Sequence, residues 1–174
     1  MIGGGVCVAG SASIVSGPEI LMNRRQALLG LVALPAVAQI AAAAAAHPTI
    51  IVNKTPTCGC CGLWVKHLQA AGFAVEVHDF ENLGPIKERV GVPFGMGSCH
   101  TAEVGGYFIE GHVPADDIKR LLREKPAAKG LTVPGMPAGS PGMEVPSGRV
   151  DRYDVLLVDQ AGKTSVFATH GDKN

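Results

Sequence analysis

Between residues 49 and 72 the chain passes from a β-branched run into a stretch of helical periodicity, and three of its five cysteines crowd into four positions at the junction. The junction reads Lys54-Thr55-Pro56-Thr57-Cys58-Gly59-Cys60-Cys61-Gly62-Leu63-Trp64. Thiolates are soft ligands and redox-active nucleophiles, so this clustering restricts the local chemistry to metal binding, thiol–disulfide exchange or a structural disulfide. Thr49-Ile50-Ile51-Val52 predicts a buried strand. Leu63, Trp64, His67, Leu68 and Ala71 recur at helical spacing, and Gly72 supplies a stop. Cys60 and Cys61 then occupy the first turn of a helix, where free backbone N–H groups and the helix dipole favour a thiolate.

Further along, Phe73 to Phe80 alternates as a second strand, and a short helix spans roughly 83–90, closed by Gly91. Val92 to Thr101 is too rich in Gly and Pro for a helix and reads as a shaped loop carrying Cys99-His100. Residues 102–113 predict two short strands about a Gly105-Gly106 turn. Pro114-Ala115-Asp116-Asp117 opens a helix with Ile118, Leu121 and Leu122 on its apolar face, stopped by Pro126. Gly130 to Glu144 has no periodicity; an almost uncharged Pro/Gly/Met segment of this length inside a domain is more often an ordered functional loop than a linker. Residues 152–158 and 164–168 flank a turn and predict a C-terminal hairpin. Strand, helix, strand at the start predicts a parallel βαβ unit. Thioredoxin-like proteins carry their cysteine motif at this first strand–helix junction.

Residues 1–46 read as a segment to be removed. Asn23-Arg24-Arg25, an apolar run from Gly30 to Ile40 and six alanines ending at Ala46 form a secretory signal, and the paired arginines match the twin-arginine export type. Pro35 and Gln39 interrupt a run already too short for a membrane anchor. Residues 1–21 lack a charged start, Met22 is the more natural initiator, and Cys7 is given no role. The expected domain is therefore 47–174, periplasmic and free of the membrane. Lys plus Arg and Asp plus Glu both number 15, so no basic field points to nucleic acid.

Four cysteines remain in that domain. An exported chain with an even count usually holds disulfides, but Cys60 and Cys61 are adjacent, and pairing within one cluster staples little chain. Cys58 and Cys61 make a Cys-x-x-Cys, in which the first thiol would attack and the second resolve. The third thiol invites wrong pairings in exchange but is useful to a metal site, because adjacent cysteines can bridge two ions. Cu(I) suits such ligands, as do zinc and iron–sulfur clusters, although the spacing fits the zinc pattern only in part and neither common ferredoxin pattern. Met136 and Met143, in two similar Pro-Gly-Met units, are candidate ligands or covers. His100 could ligate or orient a ligand, with His112 behind it. His67, His78, His170 and Trp64 read as structural or surface residues. Glu103 and Glu110 have no partner carboxylate at a suggestive spacing, and no phosphate loop or Ser nucleophile motif is present.

Taken together, several stretches resemble a known family: Lys54-Thr55-Pro56 with Cys58-Gly59-Cys60-Cys61 and Trp64, Gly72-Phe73, Gly91-Val92-Pro93, and Ser98-Cys99-His100-Thr101-Ala102. Gly106-Tyr107, Ile109 to Ala115, and Gly130 to Glu144 add to the match, which covers nearly all of 47–170. The chain resembles the thioredoxin-like, exported metal-binding family long catalogued as a domain of unknown function, which includes the copper-resistance protein CopG. Gly95-Met96-Gly97 departs from the more apolar stretch expected there. The resemblance implies an α/β, thioredoxin-like domain: a central mixed sheet flanked by helices, with an appended hairpin and a long Pro/Gly/Met loop. It implies copper bound by Cys58, Cys60, Cys61 and Cys99; the preferred reading of the residues adds that the copper is Cu(I), with His100 assisting and Met136 and Met143 over the site. Copper-efflux or redox proteins of the periplasm are the implied partners. Two alternatives stay open: a thiol or copper oxidoreductase, and a structural zinc or disulfide domain acting through a partner surface.

Overall fold

The computed structural model of the chain describes residues 47–171. The expected signal, with Cys7, Met22, Arg24, Arg25 and the cleavage site at Ala46, lies outside them. The elements run β1 (Ile50–Lys54), α1 (Gly59–Ala70), β2 (Val75–Asp79), α2 (Gly84–Val90), β3 (His100–Val104), β4 (Tyr107–Glu110), α3 (Ala115–Glu124), β5 (Ala128–Thr132), β6 (Tyr153–Asp159) and β7 (Thr164–His170). The strands form one mixed sheet in the order β2-β1-β3-β4-β5-β6-β7. β1 and β2 pair in parallel across α1, as the sequence order implies. β4 and β5 are likewise parallel across α3. β6 lies antiparallel on β5 and β7 on β6, so the last two strands extend the sheet.

The two faces of the sheet differ in chemistry. Val52, Ala102, Ile109 and Leu131 lie in one pairing row across β1, β3, β4 and β5, and all four are fully buried. Trp64 and Leu68 of α1 and Ile118 and Leu121 of α3 share their core cluster and are equally buried. Burying one such side chain stabilises by roughly 2 kcal/mol, so this face anchors the fold. Strand side chains alternate, so the opposite face carries Thr101, Glu103 and Glu110. There α2, which has no buried residue, is held by polar contacts: Arg89 to both Glu103 oxygens at 2.6 and 2.9 Å, and Lys87 to Thr101 and Glu110.

α1 begins at Gly59, with Cys58 as its N-cap, so Cys60 and Cys61 lie in its first turn as the sequence predicts. Two boundaries correct the sequence reading. β3 begins at His100, inside the segment read as a loop. The aperiodic 130–144 segment begins as a strand, β5. Gly130 hides that strand, because glycine reads as loop yet is required here: an added Cβ would fall on the Phe108 backbone carbonyl of the adjacent β4.

α1 is fixed at both ends of its buried face. Trp64 Nε1 donates to the Val113 carbonyl at 2.8 Å. The Ala115 N–H, at the start of α3, donates to His67 Nε2 at 3.0 Å. A backbone N–H can only donate, so His67 must be unprotonated at Nε2 to cap α3, whose own N-cap residue is Pro114 and supplies no side-chain cap. Burial lowers the His67 pKa below 6.5. Stability from this contact is therefore complete above that value and is lost as pH falls through the lowered folded pKa. His67→Leu is expected to cost about 1 kcal/mol near neutral pH and to reduce the loss of stability on acidification. Urea midpoints measured at about pH 7.5 and about pH 5.5 check both effects.

Candidate metal centre

The register of β3 on β1 decides where the cysteines meet. Lys54 lies opposite His100. β1 leaves the sheet towards Cys58 at the end where β3 enters it from Cys99. Cys58, Cys60 and Cys61, in the cap and first turn of α1, thereby face Cys99, and the four sulfurs lie within 4.8 Å of one another. Cys58 Sγ is 3.6 Å from Cys60 Sγ, and Cys60 Sγ is 3.8 Å from Cys99 Sγ. Cys61 is fully buried, and its sulfur sits 3.7 Å from the Cys99 carbonyl oxygen. Cys58 and Cys61 are joined as a disulfide, whereas Cys60 and Cys99 are free and partly exposed. The first pair can offer thiolates only after a two-electron reduction.

Histidine completes the cluster. His112 Nε2 is 3.2 Å from Cys99 Sγ, while its Nδ1 lies 2.8 Å from the Pro141 carbonyl. A carbonyl only accepts, so Nδ1 carries the proton and Nε2 turns a lone pair towards the sulfur. His100 Nδ1 is 3.4 Å from the same sulfur. The His100 ring is wholly buried between Trp64 and His112, with centroids at 4.3 and 5.0 Å, and its Nε2 has no hydrogen-bond partner. Burial drives the His100 pKa down to about 3, lowers that of His112, and raises that of Cys99 to about 11, with the neighbouring Cys60 adding to the rise. All three shifts favour neutral groups, so the metal-free centre holds an S–H facing an imidazole lone pair.

The long loop seats this arrangement. Gly142 has a φ of +86°, and an added Cβ would lie 2.8 Å from both the Cys60 carbonyl oxygen and the Trp64 nitrogen. Only glycine lets the loop press onto the first turn of α1. Pro141, just before it, supplies the carbonyl that fixes the His112 tautomer. Glu144 accepts the Gly142 N–H at 2.8 Å, which helps hold its carboxyl below the usual range. Met143, next to Gly142, is partly buried, and Met136 is 54% exposed.

The remaining histidines lie elsewhere: His47 packs on Phe73 with ring centroids at 4.8 Å, His78 pairs with Glu76 on the surface, and His170 bonds Asp117 at 2.6 Å and stacks on Tyr153. Two clefts of about 480 and 520 Å³ are lined by no cysteine, so the centre is a cluster of side chains and not one of these cavities. His112 was ranked below His100 from sequence because it stands alone in the chain; only the fold brings Pro141 behind it.

Residues 96–143, which span Cys99, both histidines and the long loop, match the family described as "Protein of unknown function, DUF411". No curated protein matches the chain. Two solved structures of the copper resistance protein CopG, forms 1 and 2, are similar to it. Form 1 is 47% identical, with a TM-score of 0.68, covering 72% of this chain and 99% of its own. Form 2 is 48% identical, also at 0.68, covering 71% and 98%. The chain belongs to the CopG family. In this CopG relative, the protonated state of Cys99 is directly measurable. In the metal-free protein with the Cys58–Cys61 disulfide intact, Cys99 is expected to react with iodoacetamide roughly tenfold more slowly near pH 7 than a thiol of pKa 9.0, its smaller thiolate fraction being partly offset by greater nucleophilicity, with its rate still rising towards about pH 11. A mass-resolved pH–rate profile of alkylation checks this.

Proposed function

We propose that this chain is an exported copper-binding protein of the bacterial periplasm that serves copper resistance by holding Cu(I) in its cysteine cluster. The observation that carries the reading is the meeting of four sulfurs from two stretches of chain within 4.8 Å, beside an imidazole nitrogen with a free lone pair. Thiolates and imidazole suit Cu(I), and Cys60, lying between Cys58 and Cys99, is placed to bridge two ions of a small cluster. In this reading Cys58, Cys60, Cys61 and Cys99 are the ligands, His100 and His112 support them, and Met143 and Met136 would serve as a cover. The relatives' name, copper resistance protein, supports copper over zinc as the cargo. The proposal includes a thioredoxin-like domain over 47–174 ending in a β-hairpin, and removal of 1–46 as a twin-arginine-type signal. Copper-efflux or redox proteins of the same compartment would exchange the ion.

A second reading, a thiol or copper oxidoreductase, is favoured by the Cys58–Cys61 disulfide at the start of α1. Two Cu(I) ions giving one electron each, with two protons, would convert that disulfide into two thiols and leave two Cu(II). This reading expects Cu(I) to be oxidised stoichiometrically by the disulfide form under anaerobic conditions, followed by loss of the cuprous-chelator signal. Sequestration alone expects Cu(I) binding only after prior reduction of the protein. For either reading, Cys60→Ser is expected to cut the copper bound per reduced chain by half or more while changing the stability of the metal-free protein by less than about 1 kcal/mol. Metal analysis after anaerobic loading measures this, and copper content equal to the parent's would remove Cys60 from the ligand set.

A further inference from the structure

Glu110 closes β4 with its side chain wholly buried, on the polar face of the sheet beneath α2. One carboxylate oxygen accepts the Ser98 N–H at 2.5 Å and pairs with Lys87 Nζ. The other accepts the Thr101 hydroxyl at 2.7 Å, and Lys87 donates in turn to Thr101 Oγ1 at 2.9 Å. Ser98 and Thr101 flank Cys99-His100, so a single carboxylate grips the chain on both sides of the residue that presents the fourth sulfur. The turn that follows is shaped to the same end. Gly111 has a φ of +73°, and an added Cβ would lie 2.5 Å from the Val133 carbonyl oxygen and 2.7 Å from Ser98 Cβ. The absence of a side chain there lets Ser98 press in, with its hydroxyl donating to the Gly135 carbonyl at 2.5 Å. His112, whose Nε2 faces Cys99, comes from this very turn.

We propose that Glu110 is a positioning residue of the cysteine centre, its carboxylate setting where Cys99 Sγ lies relative to Cys60 and His112. The purpose of that placement rests on the metal-binding reading, but the placement itself exists in metal-free protein. A mere sheet-to-α2 tie would need only the ion pair with Lys87. The two grips on residues 98 and 101 act instead on the segment between them. Glutamine can keep the Ser98 N–H and Lys87 on its oxygen and turn its amide towards Thr101, so it should preserve the placement; leucine cannot.

The test uses reduced, metal-free protein carrying Cys58→Ser and Cys61→Ser, leaving Cys60 and Cys99 as the only thiols of the described domain. Diamide takes up two hydrogens as these close into a disulfide, and the mass loss reports the rate. The parent sulfurs stand 3.8 Å apart. Glu110→Leu combined with Lys87→Met, which strands no buried charge, should slow closure about tenfold or more, whereas Glu110→Gln stays within about threefold of the parent. A folded double variant that closes at the parent rate would show Glu110 to be a stabilising residue alone and overturn the proposal. Thr101→Val removes one grip, leaves the ion pair, and carries the test if the double variant does not fold; about threefold slowing is expected, and the parent rate again overturns it. Copper content of the same proteins with Cys58 and Cys61 restored is measured separately. Failure to load copper in the parent defeats the metal reading and leaves the closure rates to judge Glu110.

Discussion

The alignment of β3 on β1 sets Val52 opposite Ala102 and Lys54 opposite His100. Side chains alternate along a strand, so a slip of one residue would turn Ala102 out of the core and force Thr101 into it. Val52 and Ala102 are both completely buried in the cluster that contains Trp64 and Leu68, and that burial resists the slip. The cysteine centre is a consequence. The strand that leads into Cys58 and the strand that begins after Cys99 are locked together at one end, so their sulfurs meet without a covalent bond between the two stretches. Apolar packing several residues away from the sulfurs thus decides their geometry. The same pairing delivers Thr101 to the polar face, where Glu110 and Lys87 can reach it.

A second constraint turns proximity into a defined centre. The first turn of α1 carries three cysteines, and its orientation is held from the core side by Trp64 on Val113 and by His67 on Ala115. From the outer side the 133–143 loop presses Gly142 against the backbone of Cys60 and Trp64. That loop also presents the Pro141 carbonyl, which accepts the His112 Nδ1–H and leaves Nε2 for the sulfur. The loop is therefore structural to the centre even without a side chain reaching it. This explains its composition: glycine for close approach, proline for a fixed backbone, and little charge against a buried imidazole pair.

Much of this was legible in the sequence, and the misses share a cause. The β1–α1–β2 unit, the α2 stop at Gly91 and the apolar face of α3 follow from periodicity and from the local chemistry of caps and turns. The clustering of Cys58, Cys60 and Cys61 is local and could be read directly. Cys99 was joined to them only through resemblance, since nothing in its own neighbourhood fixes the register that brings it near. β5 went unseen because Gly130, demanded by the Phe108 carbonyl, erases the strand signal. His112 and Glu110 look unremarkable in sequence: one is a lone imidazole, the other a carboxylate without an acidic partner. Their roles come from the Pro141 carbonyl and from Lys87, contacts between elements that no spacing rule encodes.

The electrostatics of the centre bear on which ion it can hold. Cys99 is held protonated by burial, and both neighbouring imidazoles are held neutral. The nearby ammonium of Lys87 is committed to Glu110 and Thr101. Among the described residues no cationic side chain acts on Cys99, and an unpaired buried charge is costly. A bound soft ion must bring its own compensation as it displaces the proton. A divalent ion surrounded by four thiolates leaves the cluster doubly negative, with the N–H groups and dipole at the start of α1 as a partial offset. A monovalent ion matched to each thiolate leaves the cluster neutral, and sulfur bridging keeps every sulfur paired. Under the proposed copper reading, the scarcity of free positive charge around the sulfurs would favour Cu(I) alongside their softness.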